Sequence, residues 1–156
     1  MSDPKPKPKP KTTKKPASQP VDKATKPASF IRAIGRRKTS VARIRLYQGK
    51  GDNLINDQSV SQYLPGEEFE TEFLTPFRTV NVIGKFYVTI KVNGGGIHSQ
   101  SQAIAHGITR ALVKHNPELK TKLKKKDLLT RDPRMKERRK PGFAQAARAR
   151  KQSPKR

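Results

Sequence analysis

The stretch 85-KFYVTIKVNGGGIHSQSQAIAHGITRALVKHN-116 joins two different periodicities through three consecutive glycines. In its first part, Phe86, Val88, Ile90 and Val92 alternate with Lys85, Tyr87, Thr89 and Lys91, the period of a strand with one buried face. Beyond the glycines, Ile104, Ile108 and Leu112 recur every fourth residue with Ala103 and Ala111 beside them, the apolar stripe of a core helix. Pro117 disfavours helical backbone at Asn116, so the helix ends there. A strand feeding a long core helix points to α+β layering.

Working outward, 40-SVARIRLYQG-49 repeats the strand pattern: Ala42, Ile44 and Leu46 face one way, while Val41, Arg43, Arg45 and Tyr47 form an arginine-bearing outer face. GKGDN then reads as a turn and NLIND as a short return strand, which together predict a hairpin. Asp57 or Ser59 is placed to cap a short helix carrying Val60, Tyr63 and Leu64, stopped by Pro65-Gly66. In EEFETEFLTPFRTVNVIG, Phe69, Phe73 and Leu74 have helical spacing, and Glu67, Glu68, Glu70 and Glu72 suit the positive end of the helix dipole. Pro76 is expected to break that helix. Asn116 can cap a further helix with Pro117 at its first position and Leu119 and Leu123 inside. After 127-DLLT-130 the apolar pattern ends. The expected fold is α+β, a small mixed four-stranded sheet with helices packed on one face.

Charge divides the chain differently. The 156 residues carry 36 Lys plus Arg against 12 Asp plus Glu, and 31% are hydrophobic, enough for one modest core. Residues 1–29 contain eight Lys, two Asp and no Arg in a Pro/Lys/Ser/Thr tract with one Val, the composition of a disordered arm. Residues 30–129 hold the apolar patterns of a globular RNA-binding domain. Residues 130–156 hold eleven cations against two acids, many of them Arg, and form an extended basic tail. Guanidinium grips phosphate as a fork and stacks on bases, whereas ammonium is a hydrated point charge, so the two ends have different tasks.

A net charge of +24 calls for a polyanion. No run of about 18 apolar residues and no basic amphipathic face argues for a membrane. Cysteine is absent, which removes disulfides, thiol nucleophiles and thiolate zinc sites. The start MSDPKPKPKP lacks the apolar stretch of a secretory signal, so cytoplasm is expected. His98, His106 and His115 lack metal-ligand spacing and read as polar surface residues; neither a metal nor another cofactor is expected. No nucleophile–base or paired-carboxylate pattern suggests catalysis.

Three segments offer phosphate contacts. In 35-GRRKTS-40, Arg36, Arg37, Lys38, Thr39 and Ser40 gather three cations and two hydroxyls at a strand mouth. In 130-TRDPRMKERRKPG-142, Arg131, Arg134, Arg138, Arg139 and Lys140 are denser, with Asp132 and Glu137 placed to orient arginines. Gly94, Gly95 and Gly96 fit a tight turn against a helix, a close approach of RNA backbone, or a nucleotide pocket, although the P-loop Gly-Lys-Ser/Thr ending is missing.

The collinear motifs GRRKTSVARIRL, INDQSVSQYLPG, VNGGGIHSQSQAIAHGITRALV and LLTRDPRMKERRKPG, with the terminal Lys-Arg, resemble the small-subunit ribosomal protein nine family in its bacterial form, from about Ile31 to Arg156. That resemblance implies a two-layer α+β domain with a left-handed βαβ crossover, sited on the ribosome in the small-subunit head. The partners it implies are small-subunit ribosomal RNA, neighbouring head proteins and, at the C-terminal tail, the anticodon stem-loop of P-site tRNA; a homo-oligomer is not expected. The three segments above would contact ribosomal RNA, and Ser153, Lys155 and Arg156 would lie nearest the tRNA. The family commonly ends on an aromatic followed by Ser-Lys-Arg; here Ser153-Pro154-Lys155-Arg156 keeps the charges without the aromatic. The competing readings are a generic nucleic-acid compactor or RNA chaperone, suggested by the Lys/Pro arm and total charge, and a phosphotransferase using the glycine turn.

Overall fold

Pairing of the two alternating stretches forms the centre of the sheet. In the computed structural model, which describes residues 29–143 and 147–148, the elements follow as β1 (Phe30–Arg37), β2 (Ser40–Gln48), β3 (Leu54–Ile55), β4 (Gln58–Ser59), α1 (Val60–Tyr63), α2 (Glu67–Val80), β5 (Phe86–Asn93), α3 (Ile97–His115) and α4 (Leu119–Lys125). Residues 1–28 and the tail end with Ser153, Lys155 and Arg156 lie outside the described residues. The strand order is β1-β2-β5-β3-β4, with β3 parallel to β5 and the other pairs antiparallel. A mixed sheet with its helices on one side is therefore observed, with five strands rather than four.

Two local expectations are corrected. The predicted hairpin between 40–49 and 53–57 does not form: β2 is flanked by β1 and β5, while β3 pairs with β5 and the short β4. The tight hairpin lies one element earlier, where Lys38 takes a left-handed conformation (φ 48°) between β1 and β2. Helix α2 also runs through Pro76. Pro76 is buried between Phe73 and Phe77 on the core side, and that packing outweighs the one backbone hydrogen bond its ring nitrogen cannot make.

The core is the inward set of each element. Ala42, Ile44 and Leu46 of β2 and Val88, Ile90 and Val92 of β5 are buried with Ile104, Ile108 and Leu112 of α3, and Phe73, Phe77 and Leu123 close the second layer. Each Val, Leu, Ile and Phe of this set contributes roughly 1.5–3 kcal/mol by leaving water. Helix α3 lies across β1 and β2, and its approach is close enough that a Cβ on Gly35 would fall 1.8 Å from the Ala103 carbonyl oxygen and 2.5 Å from the Gly107 nitrogen. The first residue of the GRRKTS motif is thus a strand–helix contact, which sets Arg36 and Arg37 beside α3.

Candidate nucleic-acid interface

Strand β1 is the sheet edge, and its unpaired backbone groups face a stripe on α3 made of Gln102, His106, Arg110 and Lys114. The two elements keep register because four helical residues advance about 6 Å and two strand residues about 7 Å. Lys114 Nζ donates to the Arg32 carbonyl at 2.9 Å, Arg110 Nη1 donates to the Ile34 carbonyl, and the Arg36 N–H approaches His106 Nδ1 at 3.4 Å. Gln102 Oε1 accepts from Arg37 Nε at 2.7 Å. A sheet edge that could pair with another chain is thereby occupied by side chains. Between the stripe, β1 and the segment after α4 runs a groove of about 630 Å³ lined by Arg32, Arg36, His106, Arg110, Lys114 and Arg131, with no carboxylate in its wall.

His106 is half-buried in this groove. Its pKa is lowered, first by burial and then by the Arg110 guanidinium, with Arg131 adding to the effect and a hydrogen bond with the Leu129 backbone opposing it. It is therefore the exception among the histidines, since His98 and His115 are exposed and stand edge-on to Phe69 and Phe86. The imidazole stays neutral and accepts from the backbone of β1.

Arg36 and Arg37 point to opposite faces of β1 and have different surroundings. Arg36 is exposed at the groove, whereas the Arg37 side chain is 11% exposed and fully engaged: besides Gln102 it donates to the Arg134 carbonyl at 2.8 Å and pairs with Asp132 at 3.0 Å. Asp132 also accepts from the Arg134 backbone N–H at 2.9 Å and from its guanidinium at 2.6 Å. Those Arg134 hydrogen bonds, with smaller help from Arg37, hold the Asp132 carboxyl far below the usual carboxylate range, and Arg134 is raised in return. Glu137 is lowered by the hydrogen-bonded Arg148, which is raised by it. Both acids thus orient arginines, as their positions in the sequence suggest. Arg131, Arg138, Arg139 and Lys140 are exposed along an irregular segment that this anchor ties to the core.

The remaining sequence-chosen residues divide. Lys38 and Thr39 are exposed on the β1–β2 turn, but Ser40 is buried and its hydroxyl donates to the Gly94 carbonyl at 2.9 Å. Gly94 and Gly95 have positive φ (80° and 66°), and a Cβ on either would run into Thr39 O at 2.6 Å or Ser40 Oγ at 2.1 Å. Tight packing of the glycine turn against the β1–β2 turn accounts for both residues. Gly96 has open space where a Cβ would be, and its N–H and carbonyl are both bonded to Ser99 Oγ. The structure sets Arg36 and Arg131 along one groove, joins Arg37 to Arg134, and brings Thr39 and Ser40 against Gly94 and Gly95. Sequence reasoning missed Arg110 and Lys114; the signal was their spacing of four from His106, on the side of α3 away from Ile104, Ile108 and Leu112.

The family model described as Ribosomal protein S9/S16 matches residues 35–156. The chain belongs to this family. Its membership makes it a structural ribosomal protein of the small subunit, one that binds ribosomal RNA and sits among ribosomal neighbours in the translation machinery. The match begins at Gly35, so it takes in the β1–β2 turn, the α3 stripe and the Asp132 anchor of this S9-type protein, while most of β1 precedes it.

Proposed function

We propose that the protein acts in the small-subunit head as a two-ended RNA clamp: a globular domain, residues 30–129, seats on ribosomal RNA, and a basic tail, residues 130–156, extends to P-site tRNA. The observation that carries this reading is the Arg37–Asp132–Arg134 anchor, which fixes the root of the tail beside the groove and leaves Arg138, Arg139 and Lys140 after it exposed. In this arrangement Arg36, Lys38, Thr39, Arg131, Arg138, Arg139 and Lys140 contact ribosomal RNA, the open space at Gly96 lets RNA backbone approach the α3 start, and Arg37 and Arg134 act by ordering the segment. Ser40, Gly94 and Gly95 shape the turn from beneath. Ser153, Lys155 and Arg156 are the tRNA-proximal end, residues 1–29 form a separate Lys/Pro-rich arm, and the role is cytoplasmic, ribosomal and non-catalytic, with head proteins as neighbours.

Deleting Gln152–Arg156 tests the tail directly. Small subunits assembled with the truncated chain are expected to form normally and to release P-site tRNA faster, most clearly at low magnesium. Equal tRNA retention by truncated and intact subunits across magnesium concentrations rules the tail reading out.

A further inference from the structure

The face of the sheet turned away from the helices carries a second concentration of cations, of which only Arg32 and Arg36 also line the groove. Register places its residues in rows across β1, β2 and β5: Phe30–Tyr47–Tyr87, Arg32–Arg45–Thr89, Ile34–Arg43–Lys91 and Arg36–Val41–Asn93. No acidic residue occurs in these rows. Arg32, Arg43, Arg45 and Lys91 are exposed, and among the described residues none of them has a carboxylate partner. Arg32 stands directly opposite Arg45, and Arg43 directly opposite Lys91. Like charges facing each other across a strand pair oppose folding of the free chain, so this arrangement needs an anion to be worth keeping.

We propose that this open face binds the phosphate backbone of ribosomal RNA as a second surface, continuous with the groove around the β1 edge. The proposal rests on the RNA-binding role of the family and adds a face to it. Continuity comes from Arg32, which lines both the groove and a shallow depression of about 440 Å³ formed with Arg43, Arg45, Thr89 and Lys91. Backbone rather than bases is the ligand because the aromatic row is already occupied. Tyr47 and Tyr87 stack on each other at 4.9 Å, Gly51 covers the Tyr87 ring closely enough that a Cβ there would lie 2.8 Å away, and Phe30 takes the Arg32 and Arg45 guanidinium groups at 5.7 and 5.3 Å. That row stiffens one end of the face and holds two of its arginines upright. Arg43 and Arg45, two residues apart on β2, leave the strand backbone on the same face about 7 Å apart.

The test uses the full chain and a transcript of small-subunit ribosomal RNA. The triple variant R43Q/R45Q/K91Q is expected to make the slope of log K against log salt shallower by about 2 to 3 and to lower affinity on the order of tenfold. The free variant is expected to melt about 2 °C higher than the parent, because two like-charge oppositions are relieved. The groove pair R36Q/R131Q is measured alongside. A slope changed by the groove pair and untouched by the triple variant overturns the proposal while leaving RNA binding in place; a slope changed by neither overturns both. Independently, p-benzoylphenylalanine in place of Thr89 in assembled subunits is expected to crosslink to RNA. Crosslinks to protein alone, as an acidic neighbouring protein would give, overturn the proposal.

Discussion

Arginines are held in place by two different means in this molecule. At the root of the tail they are ordered by acids: Asp132 takes Arg37 and Arg134, and Glu137 takes Arg148. On the open sheet face there are no acids, and a flat strand backbone with an aromatic row does the ordering. The difference follows from local structure. An irregular segment such as 131–140 has no ladder to hold its side chains apart, so ion pairs must restrict it, whereas alternate residues of a strand are fixed at their spacing by the backbone. An acid-ordered cation gives up part of its field to its partner; a strand-ordered cation keeps all of it and repels its neighbour instead.

The groove and the acid-ordered anchor hang on one contact, and breaking it is expected to have the largest effect. Gly35→Ala drives a methyl into the Ala103 carbonyl, a backbone atom that cannot swing away, and is expected to destabilise the protein by about 3 kcal/mol. Thermal melting measures it. Separation of β1 from α3 would remove the groove and the Arg37 anchor together, so Gly35→Ala is expected to abolish RNA binding at temperatures where the parent is fully bound. An unchanged melting temperature would overturn the close packing of α3 on β1.

Next in size, Arg37→Ala sharpens the contrast between neighbours on one strand. It removes three side-chain hydrogen-bond partners from a nearly buried group and is expected to cost about 2 kcal/mol of stability. Its RNA affinity is expected to fall with little change in salt slope, since Arg37 orders the segment without touching phosphate. Arg36→Ala is expected to do the reverse, leaving stability nearly unchanged and lowering the slope by about 0.7–0.9. Equal slope changes for both would place Arg37 on the RNA.

How far the sequence carried these conclusions depended on how local the signal was. β2, β5 and α3 are legible because each keeps one period without interruption, and Ile44, Ile90 and Ile108 fall where that period puts them. β1 is not, because the close approach of α3 demands small inward residues: Ala33 and Gly35 carry no hydrophobic signal, and Ile34 points to solvent. The β2–β5 pairing runs from Gln48–Phe86 to Val41–Asn93, residues 38 to 52 apart, and leaves no local trace, so the nearer NLIND reads as the natural partner. Cations of the tail root were visible as a cluster, and so were their acids. Arg110 and Lys114 were hidden by the habit of reading a helix for its apolar stripe alone.

The smallest expected effect concerns His106, the half-buried histidine of the groove. Around it stand Arg36 of β1, Arg110 and Lys114 of α3, and Arg131 of the segment after α4, with no acid in the groove wall, while an adjoining depression that His106 also lines adds Arg37 and the carboxylates of Glu72, Asp127 and Asp132. Burial and Arg110 lower its pKa in the folded chain below the unfolded value of 6.5. Its contribution to stability is therefore present in full above about pH 6.5, where imidazole is neutral in both states, and is lost as the pH falls through the lower folded value. Protonation would also place a donor at Nδ1, where the Arg36 N–H already points. The free protein is thus expected to lose stability as the pH falls below about 6.5, and His106→Gln, which keeps an acceptor without a titration, is expected to flatten that part of the profile. Asp132 adds nothing in this window: its lowered carboxyl stays ionised until well below the ordinary carboxylate range, so the anchor holds while the groove weakens. Denaturant unfolding followed at several pH values separates the two, and a His106→Gln profile parallel to the parent's would assign the slope to another group.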